Sequence, residues 1–492
     1  MGWLADNISA GKTRFARDSI FALVSRVMPK IASGILFLIL IYRNGSAPAG
    51  AFSLAVAFLT SAVMLSSIGM EELVIREVAK EPSSSFKFLV NTLILRGIFA
   101  LIGYGILVGL VTLVFNYDTT VQRIIMLQGS GILPEGFIAI FFSIFNGNKK
   151  FKWMALVSFG ENAFQLIIGG LALWIGAKLE ILIVVLLGGS WFGVLIGFYL
   201  FIRLANELDY LNVNDNVNIT RNWRPDWGFC KQVLTKTIPF AVIISITSLD
   251  LQLDIILLSA LNTISEVGIY SAARLVVTLL SILPQAIRMV IYPSMTHAYA
   301  TSKAQIYRIY SQSWYYLALI GLPITLGGAI LARPILDIIY RQQVPVTMVW
   351  ALSVLMIDLL ANFIYLPSTR LMVISDHQIL LSILLGFSMG ITILIGYALI
   401  PYIGIVGISI ARAAASWVYF LSVEFYVLRF ILPRHRGIIQ AIKPLFATLV
   451  MAIIVWFLRK YSLFLVIPTG ALLYGLLMIS LNIPYLSKSF QH

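Results

Sequence analysis

Long, continuous apolar runs dominate the chain and predict its secondary structure. Each run is about as long as the roughly 20 residues that a transmembrane helix needs. Uninterrupted runs are typical of helices, because the strands of a membrane barrel alternate polar and apolar positions. We therefore predict an all-α membrane protein with about 14 transmembrane helices. The predicted segments are 19–42, 49–68, 87–115, 121–145, 154–175, 180–202, 234–259, 267–294, 311–332, 346–366, 379–400, 404–427, 439–457 and 463–481.

The composition supports the same class of protein. Of the 492 residues, 60% are hydrophobic and 11% are charged, whereas a soluble domain has about 25% charged residues. The single cysteine, Cys230, allows no intramolecular disulfide, and the four histidines show no metal-ligand spacing. We expect neither a metal site nor a cofactor.

Positive charge is concentrated in one of the two sets of predicted loops. The net charge of +14 could indicate a nucleic-acid partner. With the N-terminus placed in the cytoplasm, however, the cytoplasmic segments hold about three times as many Lys and Arg as the exterior ones, as the positive-inside rule requires. This pattern predicts a multi-pass protein of the cell (inner or cytoplasmic) membrane, with both termini cytoplasmic and no nucleic-acid partner.

A polar linker and a weak internal repeat predict the domain organisation. The longest loop, 203–233, is rich in Asn and Asp and follows the sixth segment. The second and eighth segments open with the similar sequences GAFSLA and GIYSAA. We therefore predict two six-helix lobes of parallel arrangement. They comprise 1–202 and 234–428, joined by the cytoplasmic linker 203–233, and 429–492 adds helices 13 and 14 and a cytoplasmic tail.

The first segment carries two cations beside a proline. Arg26 and Lys30 lie about 10 and 16 Å inside the cytoplasmic edge, and their spacing places them on one helix face. A charge at the bilayer centre costs about 2.5–3.5 kcal/mol on insertion scales, and Pro29 favours a kink. This face is predicted to line an aqueous cavity that receives an anion. The alternative is that the cations snorkel and form a structural pair.

Further ionisable residues lie at depth in other segments. Arg96 and Arg412 are near mid-depth and are candidates for the same cavity or for structural pairs. Hairpin geometry predicts an ion pair between Asp254 and Arg274, which leaves Asp250 for Lys236, a proton or a sodium ion. Two isolated acids, Glu161 and Asp358, could join a proton relay or bind a neighbouring Arg. Arg288 and Glu424 are predicted to snorkel at the cytoplasmic ends of their helices.

Three stretches resemble the polysaccharide transporter family of the multidrug/oligosaccharidyl-lipid/polysaccharide (MOP) exporter superfamily. Residues 249–295 are similar to the family's seventh and eighth helices, with Asp254, VGIYSAA at 267–273, Pro284 and Pro293. Residues 69–80 (GMEELVIREVAK) and 145–156 (FNGNKKFKWMAL) look like its cytoplasmic loops. The resemblance implies two six-helix lobes around a central cavity. They alternate access and carry polyprenyl-pyrophosphate-linked oligosaccharides from the cytoplasmic to the exterior leaflet.

The resemblance also implies a cation-lined cavity for an anionic headgroup. The residues that fit by type and depth are Arg26, Lys30, Arg96, Arg274 and Arg412; the candidates for ion coupling or ion pairs are Asp250, Asp254 and Asp358. Coupling to H+ or Na+, or consumption of the product, would supply the energy. Expected partners are the lipid-linked oligosaccharide (an O-antigen or other surface polysaccharide repeat unit), membrane lipids and polysaccharide polymerase machinery.

Two alternatives remain open at this stage. A multidrug cation antiporter of the same superfamily is disfavoured, because such relatives more often carry acids in the cavity, whereas the first span here is cationic. A membrane-embedded glycan polymerase or glycosyltransferase is disfavoured by the absence of a large exterior loop and of a soluble donor-binding domain. We therefore expect a transporter and not an enzyme.

Overall fold

The computed structural model is helical throughout its described part. It describes the backbone of residues 2–213, 223–340, 344–433 and 437–489, and the side chains of these residues except 2–20, 26, 209–213, 239–240, 289–290, 437–438 and 482–489. The α-helices are α1 (Gly2–Asn44), α2 (Ser46–Leu65), α3 (Met70–Lys80), α4 (Ser85–Gly109), α5 (Thr119–Gly129), α6 (Ile132–Gly147), α7 (Phe151–Trp174), α8 (Leu179–Val213), α9 (Trp227–Leu261), α10 (Ile264–Leu280), α11 (Ile282–Thr301), α12 (Lys303–Ile330), α13 (Ala332–Tyr340), α14 (Val346–Ile364), α15 (Leu366–Ile374), α16 (Gln378–Tyr426), α17 (Gly437–Gln440), α18 (Ile442–Leu458) and α19 (Leu463–Ser489).

Proline interrupts three of the apolar helical segments in the structure, Thr119–Gly147, Ile264–Thr301 and Val346–Ile374. Breaks separate α5 from α6, α10 from α11 and α14 from α15, and each break precedes a proline, namely Pro134, Pro284 and Pro367. Proline lacks the N–H that a helix interior requires and clashes with the preceding turn, so it is tolerated at the start of a new helix. Each of these segments is therefore built from two consecutive helices.

Twelve helical stretches of the described residues are long and apolar enough to cross a membrane. The predicted segments 379–400 and 404–427 form one continuous run in α16, which leaves helical geometry at Gly404 (φ 54°, ψ −127°). A further apolar helix, α18, has only 17 residues. The expected apolar segments thus recur as helices, whereas the count of 14 crossings stays a prediction.

The chain divides into two compact units, Met1–Ile256 and Leu257–His492. The division falls within α9, after the predicted linker, of which residues 214–222 lie outside the described residues. In the first unit, α1 packs on α7, α7 on α8, α2 on α5, and α4 on α6. In the second unit, α12 packs on α14 and α18, α14 on α16, and α18 on α19. The predicted lobe boundaries stay a prediction.

The two loops that resemble the transporter family meet in the first unit. Helix α3 is amphipathic and buries Met70, Leu73, Val74 and Val78, and it packs on α6. A Cβ at Gly147 would lie 2.8 Å from Val78 Cγ1 and 3.1 Å from the Ile75 carbonyl oxygen. The glycine therefore permits the close approach of α3 to the end of α6.

Candidate functional site

Arg26 and Lys30 both lie in the opening helix, α1, as the sequence predicts. Lys30 is half-buried in α1, next to the exposed Pro29. Ser25, one turn earlier, is buried, and its carbonyl accepts a hydrogen bond from Ser158 Oγ on α7 at 3.1 Å. The side chain of Arg26 lies outside the described residues. Anion binding by Arg26 and Lys30 therefore stays a prediction.

Arg96 is held deep inside the first unit. Its side chain is 0% exposed, its Nη2 donates a hydrogen bond to the Val63 carbonyl at 2.8 Å, and the same atom lies 3.7 Å from Glu71 Oε1. A Cβ at Gly136 would lie 2.5 Å from Arg96 Nε, so glycine leaves the guanidinium its space. Burial raises the pKa of Glu71, whereas the charge of Arg96 opposes that rise. This packing leaves no surface of Arg96 open in this conformation, and its binding role stays a prediction.

Two acids of the first unit, Glu135 on α6 and Glu161 on α7, meet at Ser190 on α8. Ser190 Oγ lies 2.8 Å from Glu135 Oε1 and 3.2 Å from Glu161 Oε1, so both carboxyl groups approach the same hydroxyl. Gln165 Nε2 approaches the same serine. Two carboxylates this close in a buried site repel strongly when both are ionised, so the pair can hold a proton. Sequence reasoning missed Glu135, although it lies within the predicted segment 121–145, next to the prolyl break.

The remaining predicted residues are distributed over both units. Asp254 is 1% exposed and Asp250 is half-buried, both on α9 in the first unit, whereas Arg274 on α10 belongs to the second. The predicted pair of Asp254 with Arg274 therefore stays a prediction. Asp358 on α14 is buried and accepts a hydrogen bond from Ser416 Oγ on α16, and Arg412 is half-buried on the same α16.

Glu424 does not snorkel, which corrects the sequence-based expectation. It is 3% exposed, and its Oε2 accepts hydrogen bonds from Ser368 Oγ at 2.6 Å and from Tyr310 OH at 2.9 Å. The two hydroxyls replace the hydration that the carboxylate would otherwise seek at the membrane edge. Glu424 therefore ties α12 and α15 to α16 inside the second unit.

Arg370 falls between the predicted segments 346–366 and 379–400, where the sequence predicts a cytoplasmic loop, and the structure places it in α15 instead. This helix continues the apolar span Val346–Ile374. The side chain is half-buried, and its Nε lies buried without a hydrogen-bond partner among the described residues. The prolyl break before α15 disguised this helix as a loop. Pro367 close before a basic residue was the signal that could have located it.

An apolar cavity of about 930 Å³ lies within the second unit. Its walls include Trp314, Leu360, Trp417 and Leu445, with Glu424 as one of few polar residues along it. A lining of this kind offers few hydrogen-bond partners for sugar hydroxyls. It suits hydrocarbon better than glycan.

A family model described as "Polysaccharide biosynthesis protein" matches residues 15–298, which is more than half of the chain. The chain belongs to this family. The match includes the loops at 69–80 and 145–156 and the region 249–295, on which the sequence-based resemblance rests, and it confirms that resemblance. No curated protein sequence matches the chain significantly.

Solved transporters share the fold. The lipid II flippase MurJ in an inward closed conformation aligns with a TM-score of 0.75 at 15% identity, over 95% of this chain and 99% of that one. An inward-facing multidrug resistance MATE family transporter of the MOP superfamily aligns at 0.65 and 14%, over 82% and 98%. A MOP superfamily transporter from Pyrococcus furiosus, described by a binding pocket of reverse polarity, aligns at 0.58 and 14%, over 85% and 96%. The protein therefore has a MOP-type transporter fold.

Proposed function

We propose that the protein moves a polyprenyl-pyrophosphate-linked oligosaccharide, an O-antigen or other surface polysaccharide repeat unit, from the cytoplasmic to the exterior leaflet by alternating access. The observation that carries the proposal is membership of the polysaccharide biosynthesis family together with the fold of a lipid II flippase. The family and the fold both support a substrate that consists of a glycan linked to a lipid. No bond is made or broken in such a step, so the proposal assigns no catalytic residue.

The charges within the spans suit the proposed substrate. A pyrophosphate is anionic, and guanidinium groups bind phosphate oxygens in bidentate fashion. Arg26, Lys30, Arg274 and Arg412 are the proposed contacts, together with Arg96 in a conformation that opens its packing. Cations placed along a hydrated path lower the cost of carrying the headgroup across, and the polyprenyl tail stays in lipid.

A multidrug antiporter is the second candidate, because a MATE family transporter shares the fold. Export of organic cations would require accessible anionic groups on the substrate path. The first span instead contains Arg26 and Lys30 without an acid in 19–42. This charge distribution supports the anionic substrate.

The experiment is a deletion of the gene in its native strain, followed by complementation. Loss of the protein should abolish the surface glycan, and lipid-linked oligosaccharide should accumulate in the cell. Wild-type complementation should reverse both effects. Unchanged surface glycan, together with hypersensitivity to cationic dyes, would favour the antiporter.

A further inference from the structure

Arg370 is a cation within an apolar span, and no carboxylate among the described residues forms an ion pair with it. Three tyrosines interact electrostatically with it: Tyr292, Tyr365 and Tyr419. Its buried Nε has no hydrogen-bond partner in the part of the chain that the structure describes. A guanidinium in such a place is costly unless an anion or strong acceptors meet it. The arrangement therefore favours an anionic ligand.

Glu424, a buried carboxylate that hydrogen-bonds to the same helix as Arg370, is already engaged. Glu424 accepts from Tyr310 and Ser368, and Ser368 precedes Arg370 by two positions on α15. Residues two apart on a helix point to nearly opposite sides. Ser368 thus turns toward Glu424, whereas Arg370 turns away toward the tyrosines, and Glu424 does not appear among the groups that act on its charge.

Two of the three tyrosines contact other side chains, and the third is exposed. Tyr365 donates its hydroxyl proton to Asn362 Oδ1 at 2.6 Å, and its ring meets that of Tyr419 edge to face at 5.4 Å. This pair forms a fixed wall. Tyr292 on α11 is 39% exposed and makes no hydrogen bond through its hydroxyl among the described residues. The site therefore offers the guanidinium fork of Arg370 and one phenolic donor.

The position along the helix indicates where such a ligand is met. Arg370 lies four residues before the end of α15 at Ile374, which corresponds to about 6 Å of helix. With the membrane edge taken at the end of this span, Ile374, the guanidinium group lies nearer the headgroup region of a bilayer than its centre. A phosphate carried by an amphiphile lies at this height.

We propose that Arg370, assisted by Tyr292, binds the phosphate or pyrophosphate group of an anionic lipid. The guanidinium fork matches two phosphate oxygens, and the phenol donates to a third. The lipid is either the polyprenyl pyrophosphate of the transported molecule or a phospholipid of the bilayer. The first source rests on the proposed function, whereas the anion site itself does not.

The test measures ligand binding to the purified full chain in nanodiscs. The probes are polyprenyl pyrophosphate, phosphatidylglycerol and inorganic pyrophosphate, and the readouts are the thermal midpoint and native mass spectrometry. Arg370→Gln should weaken binding of at least one lipid probe by about tenfold or more, since a charge-assisted hydrogen bond is lost. Tyr292→Phe should weaken it by a few-fold. The matched control is Arg333→Gln, because Arg333 is exposed and paired with Asp337, and it should bind as the wild type does.

The pattern across probes identifies the source. A loss confined to polyprenyl pyrophosphate supports the transported lipid, and an equal loss for phosphatidylglycerol supports a bilayer lipid. Wild-type affinity of Arg370→Gln for all three probes would overturn the site. If Arg370→Gln does not fold, binding is measured with Arg370→Lys and Tyr292→Phe instead. Unchanged affinity in both variants would also overturn the site.

The two proposals can fail separately. A wild-type protein that binds the lipid through Arg370 but does not move it across the membrane would refute the proposed function and leave the site in place. If the wild-type protein transports the lipid, and Arg370→Gln also binds and transports it normally, only the Arg370 site is refuted.

Discussion

A single fully buried arginine illustrates how this protein holds charge inside apolar helices. Arg96 donates to the Val63 carbonyl, lies near Glu71 and is packed against Gly136. The desolvation cost of a guanidinium is offset only where such partners exist. Removing the space at Gly136 should therefore disturb the whole arrangement.

Gly136→Ala should lower the thermal midpoint of the purified protein. The added Cβ would lie 2.5 Å from Arg96 Nε, with Cγ and Cδ at 3.1 and 3.3 Å, and overpacking of this kind costs about 1–3 kcal/mol. Gly105→Ala on α4 is the matched control, because nothing lies within 4 Å of its added Cβ, and it should be neutral or slightly stabilising. Equal midpoints for both variants would show that Arg96 is not confined as described.

Arg26 and Lys30 should act through their charge on the transported headgroup. Arg26→Ala and Lys30→Ala should each abolish surface glycan while protein stays in the membrane. Arg26→Glu should be worse than Arg26→Ala because it adds repulsion, and Arg26→Lys should retain part of the activity without the bidentate fork. The measurement is surface glycan per membrane-resident transporter. Normal glycan from an Arg26→Glu/Lys30→Ala double variant at normal abundance would exclude this role.

At the scale of helices, apolar runs were predictable and their interruptions were only partly so. Hydropathy located the segments because lipid requires long apolar helices. It ended the segment 346–366 at the start of α15 and missed that helix, so Arg370 falls in a predicted loop, and Glu135 beside Pro134 was not recognised. Glu424 was misjudged because its partners, Tyr310 and Ser368, come from distant segments. Partners from other helices leave no local signal in a single sequence.

The start of α9 docks on α4 through a charged contact that should depend on pH. The backbone N–H of Phe229 and the ammonium group of Lys87 lower the pKa of Asp226, and Asp226 Oδ2 lies 3.1 Å from Lys87 Nζ. An acid whose pKa is lower in the folded than in the unfolded protein stabilises the fold at pH values above the unfolded-state pKa. This contribution is lost as the pH falls through the folded-state pKa.

Asp226→Asn should therefore lower the thermal midpoint slightly at pH 7, and the difference from the wild type should vanish well below about pH 4. Lys87→Met should reproduce part of the loss at pH 7, since it removes one of the two groups that stabilise the carboxylate. Thermal denaturation in detergent across pH measures both. A difference for Asp226→Asn that persists unchanged at low pH would contradict the ionic origin of the contact.

At the scale of the whole molecule, the orientation in the membrane is the property that the charge pattern predicts. Reporter tags after Gly45, Thr263 and Tyr402 should lie outside the cell, and tags within 206–222 and after His492 should lie inside. The physical reason is the excess of Lys and Arg in the cytoplasmic segments. A cytoplasmic tag after Thr263 together with an exterior tag within 206–222 would reverse the orientation.

The central claim is movement of a lipid-linked oligosaccharide between leaflets, and reconstitution measures it directly. Purified protein in proteoliposomes receives a fluorescent polyprenyl-pyrophosphate-linked oligosaccharide, and a membrane-impermeant quencher reports the fraction in the outer leaflet over time. Vesicles with the protein should exchange the lipid between leaflets far faster than protein-free vesicles, and Lys30→Ala should slow the exchange. Equal rates with and without correctly folded protein, under both an imposed proton gradient and an imposed sodium gradient, would contradict the account.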